Sequence, residues 1–455
     1  MTGSSNPFVS LRIVLVRHGL SSFNVEHRIQ GRDDLSDLTE AGIQQAADTG
    51  EALRDLHIDA AYTSPLRRAS ATASRLLQAQ GQGLRAQPIN DLLEIDLEPW
   101  SGLLRQEVKE RFPAAERQWR EAPQNLELQR SDGSGYRPLI ELMEQAERFR
   151  LGLLQRHAAA LQGQASETVL VVGHNAILRA LVLRLLNLPA SGFRRLQVDN
   201  ASISVLNLDG TAGVGGGAVQ IESLNGTAHL GTPLPSKGSG ARLLLVRHGE
   251  TDWNRQGRFQ GQIDIPLNAN GHAQAEAARS FLANITLQRA YTSVMARPRQ
   301  TAETILRSHP GVPLTSTTGL VEIGHGLWEG KLESEISSSW PQLLADWKQA
   351  PQTVQMPGGE TIQEVWDRSV GCWQSIAASL DPKETALVVA HDAVNKTILC
   401  ALLGLTPADI WTIKQGNGGV TVIDYPTQQS GPVVAALNLT HHLGGVLDRT
   451  AAGAL

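Results

Sequence analysis

The chain has 455 residues, 41% hydrophobic and 19% charged, with a formal charge of −5 and two cysteines. That length exceeds one ordinary core and predicts two or three globular domains, while the charge offers no global attraction to nucleic acid or membrane. No apolar run reaches the roughly 18 residues of a membrane span, and "MTGSSNPFVS" lacks the basic and apolar regions of a signal peptide, so a cytoplasmic protein is expected.

In chain order, "RIVLV" (12–16) reads as a buried strand running into Arg17 and His18. Asn24 and Arg28 follow in "LVRHGLSSFNVEHRIQG" (15–31). "AYTSPLRRASATA" (61–73) carries Arg68 in a Ser-x-x-x-Arg-x-x-x-Thr pattern. "LLEIDLEPWSG" (92–102) carries Glu94, with Asp96 and Glu98 as neighbours that compete for any role given to it, and Trp100, read as core. "TVLVV" (168–172) is a second buried strand, ending at His174 and followed by an apolar helix packed on a sheet.

All of this recurs. "LVRHGETDWNRQGRFQG" (245–261) supplies Arg247, His248, Asn254 and Arg258; "AYTSVMARPRQTA" (290–302) supplies Arg297; "LVEIGHGLWEG" (320–330) supplies Glu322 and Trp328; "ALVVAHDAVNKTILCALLGL" (386–405) supplies His391. The spacing between matches drifts slowly, as small loop deletions produce, and it is far too long for a solenoid, so a domain is duplicated.

"TAGVGGG" (211–217) and "NGTAHLGTPLPSKGSGA" (225–241) have the composition of turns and linkers and flank an expected last strand, "AVQIESL". The reading is domain one at 9–224, linker at 225–241 and domain two at 242–445. Alternating strands and helices predict an α/β class: two tandem three-layer α/β/α domains, each with a mostly parallel central sheet flanked by helices, ligands lying beyond the carboxyl ends of the strands. His18 and His174 would converge there, as would His248 and His391. The cysteines, Cys372 and Cys400, read as buried small hydrophobes, too few for a disulfide framework.

A neutral imidazole is an available nucleophile at physiological pH, and arginine's planar fork suits phosphoryl oxygens. Arg17 with Arg68, and Arg247 with Arg297, can neutralise the equatorial oxygens during transfer, and Glu94 or Glu322 can protonate the leaving alkoxide. Rival readings are hydrogen-bonded or capping histidines at strand ends, ion-paired surface arginines, solvated loop carboxylates, and turn roles for Asn24 and Asn254. No tight His-x-x-x-His spacing supports a metal site, and a Walker-type loop is absent.

On these motifs each half resembles the histidine phosphatase superfamily, in the branch of phosphoglycerate mutases, fructose-2,6-bisphosphatases and α-ribazole phosphatase-like enzymes. The tandem layout is similar to that of plant carboxyarabinitol-1-phosphatases. The resemblance implies that His18 and His248 are phosphorylated, that Arg17, Arg68 and His174 (Arg247, Arg297 and His391 in the second copy) surround the phosphoryl group, and that Asn24 and Asn254 add neutral donors. Glu94 and Glu322 would protonate the leaving oxygen and then activate water. Arg28 and Arg258 stand where the family touches substrate, and neither metal nor cofactor is required.

The expected activity is therefore a metal-independent phosphomonoesterase acting on small phosphorylated metabolites, in both copies. A phosphoglycerate mutase is the runner-up, disfavoured by the compact separation of acid and second histidine. A phospholigand sensor with one silent copy and a phosphoprotein phosphatase are compatible with the same residues. The copies differ at "PGGETIQEVWDR" (357–368) against "YRPLIELMEQAER", a segment on the substrate side, so the two sites can prefer different esters. Oligomeric state is open, with the duplication standing in for a homodimer as an internal pseudo-dimer.

Overall fold

The computed structural model describes residues 10–209, 219–426 and 431–450. The turn segment expected at 211–217 lies outside the described residues. The chain divides into two compact units, Met1–Pro233 and Leu234–Leu455.

Unit 1 holds strands β1 (Leu11–Arg17), β2 (Ala60–Thr63), β3 (Gln87–Pro88), β4 (Leu128–Gln129), β5 (Gly135–Tyr136), β6 (Glu167–Gly173), β7 (Ile203–Leu208) and β8 (Val219–Gly226). Its sheet runs β8-β7-β1-β6-β2-β3, with β4 and β5 in a separate small hairpin. β1, β6, β2 and β3 are parallel, and β7 and β8 are antiparallel additions. Apolar residues occupy successive positions of β1 and β6 and are buried on both faces, as a sheet covered by helices on each side requires. Helices Glu40–Ala52 and Arg67–Gln80 pack together, as do Pro138–Arg156 and Asn175–Leu185.

Unit 2 repeats the plan with β9 (Ala241–Arg247), β10 (Arg289–Ser293), β11 (Leu314–Thr317), β12 (Thr385–Ala390), β13 (Val420–Tyr425) and β14 (Val433–Leu439), in the order β14-β13-β9-β12-β10-β11. Four of these are parallel and β13 and β14 antiparallel.

The segment read as linker is more ordered than its composition implies. β8 continues through Asn225 and Gly226, a short helical turn covers Ala228–Leu230, and β9 begins at Ala241. The Asn225 amide donates to Ser204 Oγ at 2.9 Å, near the end of the strand. Trp100 and Trp328 are core residues, 1% and 0% exposed. Cys400 is buried, but Cys372 is a correction: it is partly exposed on helix Ile362–Ala378, facing the Thr317 hydroxyl at 3.8 Å.

Register positions the site. Arg17 at the end of β1 pairs with Gly173 at the end of β6, so the next residues, His18 and His174, emerge side by side. In unit 2 Arg247 pairs with Ala390, and His248 and His391 follow.

Candidate active site

The first histidine of each unit is held by its own loop. His18 Nδ1 lies 2.8 Å from Gly19 O, and His248 Nδ1 lies 2.6 Å from Gly249 O. A carbonyl oxygen only accepts, so Nδ1 carries the proton and donates, leaving the Nε2 lone pair free. In unit 2 Arg297 Nε donates to that Nε2 at 3.2 Å, in agreement with this tautomer.

Both loops depend on close backbone approach. A Cβ on Gly19 would stand 2.4 Å from Gly42 O, and one on Gly249 the same distance from Gly271 O. The glycine of Arg-His-Gly is thus required by its contact with the first turn of the next helix.

The Ser-x-x-x-Arg-x-x-x-Thr segment is a bracket around this loop. Thr72 Oγ1 accepts from the Gly19 amide at 3.0 Å and donates to Arg68 O at 2.7 Å; Thr301 does the same with Gly249 (3.1 Å) and Arg297 (2.9 Å). One helical turn separates Arg from Thr, so the hydroxyl reaches back to the arginine's carbonyl.

Arg68, Arg247 and Arg297 are buried, Arg17 is partly so, and all four are aimed by carbonyls. Arg68 donates to Asp33 O (2.7 Å) and Gly31 O (2.9 Å), and Arg297 donates to Ile263 O (3.1 Å) and Gly261 O (2.9 Å). Arg17 donates to Val198 O at 2.8 Å, and Arg247 to Gln415 O at 2.5 Å. Burial pulls the Arg17 and Arg297 guanidiniums down to about 10.

His174 and His391 complete the ring, each 5.2 Å between centroids from the first histidine. Burial first, and then the neighbouring arginines, hold all four imidazoles well below the usual histidine range. They are therefore neutral at physiological pH.

Several buried polar atoms here have no protein partner: Nε of Arg17 and Arg68 with His174 Nδ1 in unit 1, and Nε of Arg247 with both ring nitrogens of His391 in unit 2. Buried polar groups are ordinarily satisfied, so such a concentration around one point suits a ligand with several strong acceptors, as a phosphoryl group has.

Glu94 and Glu322 reach the same place from a loop. Glu94 Oε1 accepts from the amides of Ile95 (2.9 Å), Ala176 (3.1 Å) and Ile177 (3.2 Å), at the start of the helix after His174. Glu322 accepts from Ile323 (3.0 Å) and Asp392 (3.1 Å), and burial raises its carboxyl against the pull of Arg297. Asp96 and Glu98 lie elsewhere: Asp96 is near Arg32 and Arg130, and Glu98 accepts from the Ser131 amide.

Asn24 and Asn254 sit in short helices, Ser22–Val25 and Asp252–Gln256. Each Oδ1 accepts from the preceding cap residue, Ser21 or Thr251, which leaves Nδ2 as the group able to meet a phosphoryl oxygen. Arg28 and Arg258 brace a neighbouring turn, donating to Gly102 O (2.8 Å) and Gly330 O (2.6 Å). Among the described residues, neither is hydrogen-bonded or ion-paired to the histidines, arginines or glutamates above.

Four positioning features have contacts that the sequence pattern did not assign. Ser64 Oγ lies 2.8 Å from His174 Nε2, and Thr72 and Thr301 bracket the loops that follow His18 and His248; these residues recur in both copies of the repeat, which was the available signal. Asn200 and Asn417 donate to the carbonyls of His18 (3.0 Å) and His248 (3.1 Å), and they too recur at a constant distance from the second histidine.

The fourth is a swapped arginine. Arg32 donates to Glu94 O at 3.1 Å and to Gln145 at 2.8 Å, whereas in unit 2 Arg368, paired with Glu360, holds Glu322 O at 3.0 Å. The segment that differs most between the copies therefore carries a support of the acid loop. Among the described residues no group of three or more His, Cys, Asp or Glu is arranged to hold a metal ion. No helix among them is long and apolar enough to cross a membrane.

Comparison with known proteins shows the family. The model of the histidine phosphatase superfamily (branch 1) matches residues 13–215 and 243–440, and the chain belongs to that family. The chain is similar to 2-carboxy-D-arabinitol-1-phosphatase of Triticum aestivum, at 30% identity over 450 residues, 95% of this chain and 86% of that protein. Phosphoserine phosphatase 1 of Hydrogenobacter thermophilus is 31% identical over 203 residues, 45% of this chain and 94% of its own. The 2,3-bisphosphoglycerate-dependent phosphoglycerate mutase of Brucella ovis is 33% identical over 190 residues, 40% of this chain and 90% of its own.

Proposed function

With membership of the histidine phosphatase superfamily as the premise, we propose that each unit hydrolyses phosphate monoesters of small metabolites through a phosphohistidine. Nε2 of His18 or His248 attacks phosphorus while the ester P–O bond breaks. Glu94 or Glu322 gives its proton to the departing alkoxide. The same carboxylate then takes a proton from water, whose oxygen attacks phosphorus as the P–N bond breaks, releasing inorganic phosphate and restoring the neutral imidazole.

The observation that carries this reading is the Nδ1–H bond of each first histidine to its own loop carbonyl, which leaves Nε2 unprotonated. The arginines supply the charge stabilisation that phosphoryl transfer needs and the neutral second histidine a hydrogen-bonding group, so the step runs without a divalent cation. A mutase would use the same intermediate but return the phosphoryl group to a second hydroxyl, and product analysis separates the two.

The test is phosphate release in chelator from a panel of phosphorylated metabolites, comparing parent, His18→Ala, His248→Ala and the double variant. An alkaline quench followed by mass spectrometry looks for the adduct on each histidine. Activity in the parent, lost for different esters in each single variant and wholly in the double, is expected. A parent that releases no phosphate and forms no adduct sinks the proposal, and rearranged ester without free phosphate replaces it by the mutase.

A further inference from the structure

One loop in each unit holds both the arginine and the first histidine. In unit 1 it spans residues 197–201: Val198 O accepts from Arg17, Asn200 Nδ2 donates to His18 O, and the Ala201 amide donates to Arg17 O, at 2.8, 3.0 and 3.0 Å. In unit 2 it spans residues 414–418, where Gln415 O, Asn417 Nδ2 and the Gly418 amide make the same three bonds to Arg247 and His248. Whatever fixes this loop therefore aims the arginine beside the nucleophile.

The middle residue of the loop is Asp199 in unit 1 and Gly416 in unit 2. The Asp199 amide donates to Asn225 Oδ1 at 2.7 Å, and Asn225 Nδ2 donates back to the Asp199 carboxylate at 3.0 Å. Gln197 Nε2 donates to the same carboxylate at 2.9 and 3.0 Å. A carboxylate thus clamps the loop to the end of β8. Burial lowers the Arg17 guanidinium, and the charges of Glu94 and Asp199 oppose it.

Gly416 brings no carboxylate, yet one occupies the same place. The Gly416 amide donates to Asn438 Oδ1 at 2.8 Å, and Asn438, near the end of β14, has the left-handed backbone of Asn225, φ 51° against 55°. Asn438 Nδ2 donates to Asp448 Oδ2 at 3.4 Å. A Cβ on Gly416 would stand 2.7 Å from both oxygens of Asp448, so this carboxylate fills the volume that a side chain at 416 would take. The segment after β14 carries it there. Gly444 and Gly445 turn the chain at φ 118° and 108°, Lys414 Nζ donates to Asp448 O at 3.3 Å, and the Thr450 amide and hydroxyl each donate to Asp448 Oδ1 at 2.8 Å.

We propose that Asp448 is a positioning residue of the unit 2 site: from the segment after β14 it supplies the carboxylate that Asp199 builds into unit 1, and so fixes the loop that aims Arg247 and His248. This rests on the phosphomonoesterase reading above, and it makes unit 2 turnover depend on a segment that unit 1 turnover does not need. Loss of a charge-assisted hydrogen bond of this kind corresponds to about tenfold in rate or affinity.

The experiment moves the carboxylate from one place in the chain to the other. In the His18→Ala background, which leaves unit 2, Asp448→Ala with Thr450→Ala is expected to lower kcat/KM for ethyl phosphate about tenfold. The inhibition constant of vanadate, a mimic of the phosphoryl transition state, should rise by a similar factor. Adding Gly416→Asp should restore most of both, because it rebuilds the Asp199 arrangement in the space vacated by Asp448 and Thr450. In the His248→Ala background the changes at 448 and 450 should leave unit 1 as it was.

Turnover and vanadate inhibition that keep their starting values in the Asp448→Ala, Thr450→Ala protein overturn the assignment. So does a loss that Gly416→Asp leaves in place, or one of equal size in the His248→Ala background, since general destabilisation then accounts for it. If the His18→Ala protein releases no phosphate, the hydrolytic reading of unit 2 has failed. The loop is then read by calorimetric titration of inorganic phosphate in an Arg17→Met, His18→Ala background, in which unit 1 has lost two groups of its pocket. Weaker binding in Asp448→Ala, Thr450→Ala that Gly416→Asp reverses upholds the assignment, and binding that is absent or unchanged overturns it.

Discussion

The imidazoles of His18 and His174 lie 5.2 Å apart, centroid to centroid, although 155 residues of chain run between them. The pairing of β1 with β6 causes this: parallel strands in register deliver the residue after each strand to one edge of the sheet. His248 and His391 repeat the distance at the ends of β9 and β12. One strand delivers the first histidine and the neighbouring strand the second.

The acid of unit 2 should reveal itself through the leaving group. Glu322→Gln, tested in the His18→Ala background, is expected to slow release from alkyl phosphates by about a hundredfold or more. The loss should be much smaller for p-nitrophenyl phosphate, whose phenolate departs without a proton. With the carboxyl raised by burial, alkyl phosphate turnover should decline as pH rises through its value, and the variant should lose that limb. Equal loss for both esters would remove Glu322 from the role of acid.

Close packing of the nucleophile loop makes a stability prediction. A Cβ at Gly42 would stand 2.1 Å from Leu20 O, with backbone on the other side. Gly42→Ala should destabilise unit 1 by about 1–3 kcal/mol and lower its turnover. Differential scanning calorimetry beside an assay in the His248→Ala background checks both. An unshifted transition would mean the helix yields without cost.

The second histidines differ in support. Ser64 Oγ meets His174 Nε2, whereas His391 has no protein hydrogen-bond partner at either nitrogen although Ser293 occupies the matching place. Ser64→Ala should reduce unit 1 turnover by about tenfold, while Ser293→Ala should change unit 2 by much less. Steady-state kinetics in the two single-nucleophile backgrounds decide it, and equal effects would argue against an orienting role for the serine.

Acid should destabilise unit 2 through His325, which is buried against Phe259 and Trp347 and held at about 3, first by burial and then by Arg297. The folded state refuses a proton that the unfolded chain accepts near 6.5, so this stability is complete above that value and is lost as pH falls from 6.5 towards about 3. Leu97 fills the matching place in unit 1. His325→Leu should reduce the stability lost between pH 7 and pH 5 by about 2 kcal/mol, measured by denaturant unfolding at the two pH values.

By itself the sequence determined the duplication, the strands that lead into His18, His174, His248 and His391, and the repeated segments that carry Glu94 and Glu322. Each is a local pattern: a β-branched run stopped by a polar residue, or a short string repeated at a steady distance. Tertiary structure alone decided which groups those residues meet. The imidazole tautomers depend on a loop carbonyl, the glycine of Arg-His-Gly on a helix turn packed against it, and the acid loops on Arg32 in one unit and Arg368 in the other. Electrostatic energy follows distance and burial in three dimensions, and spacing along the chain supplies neither.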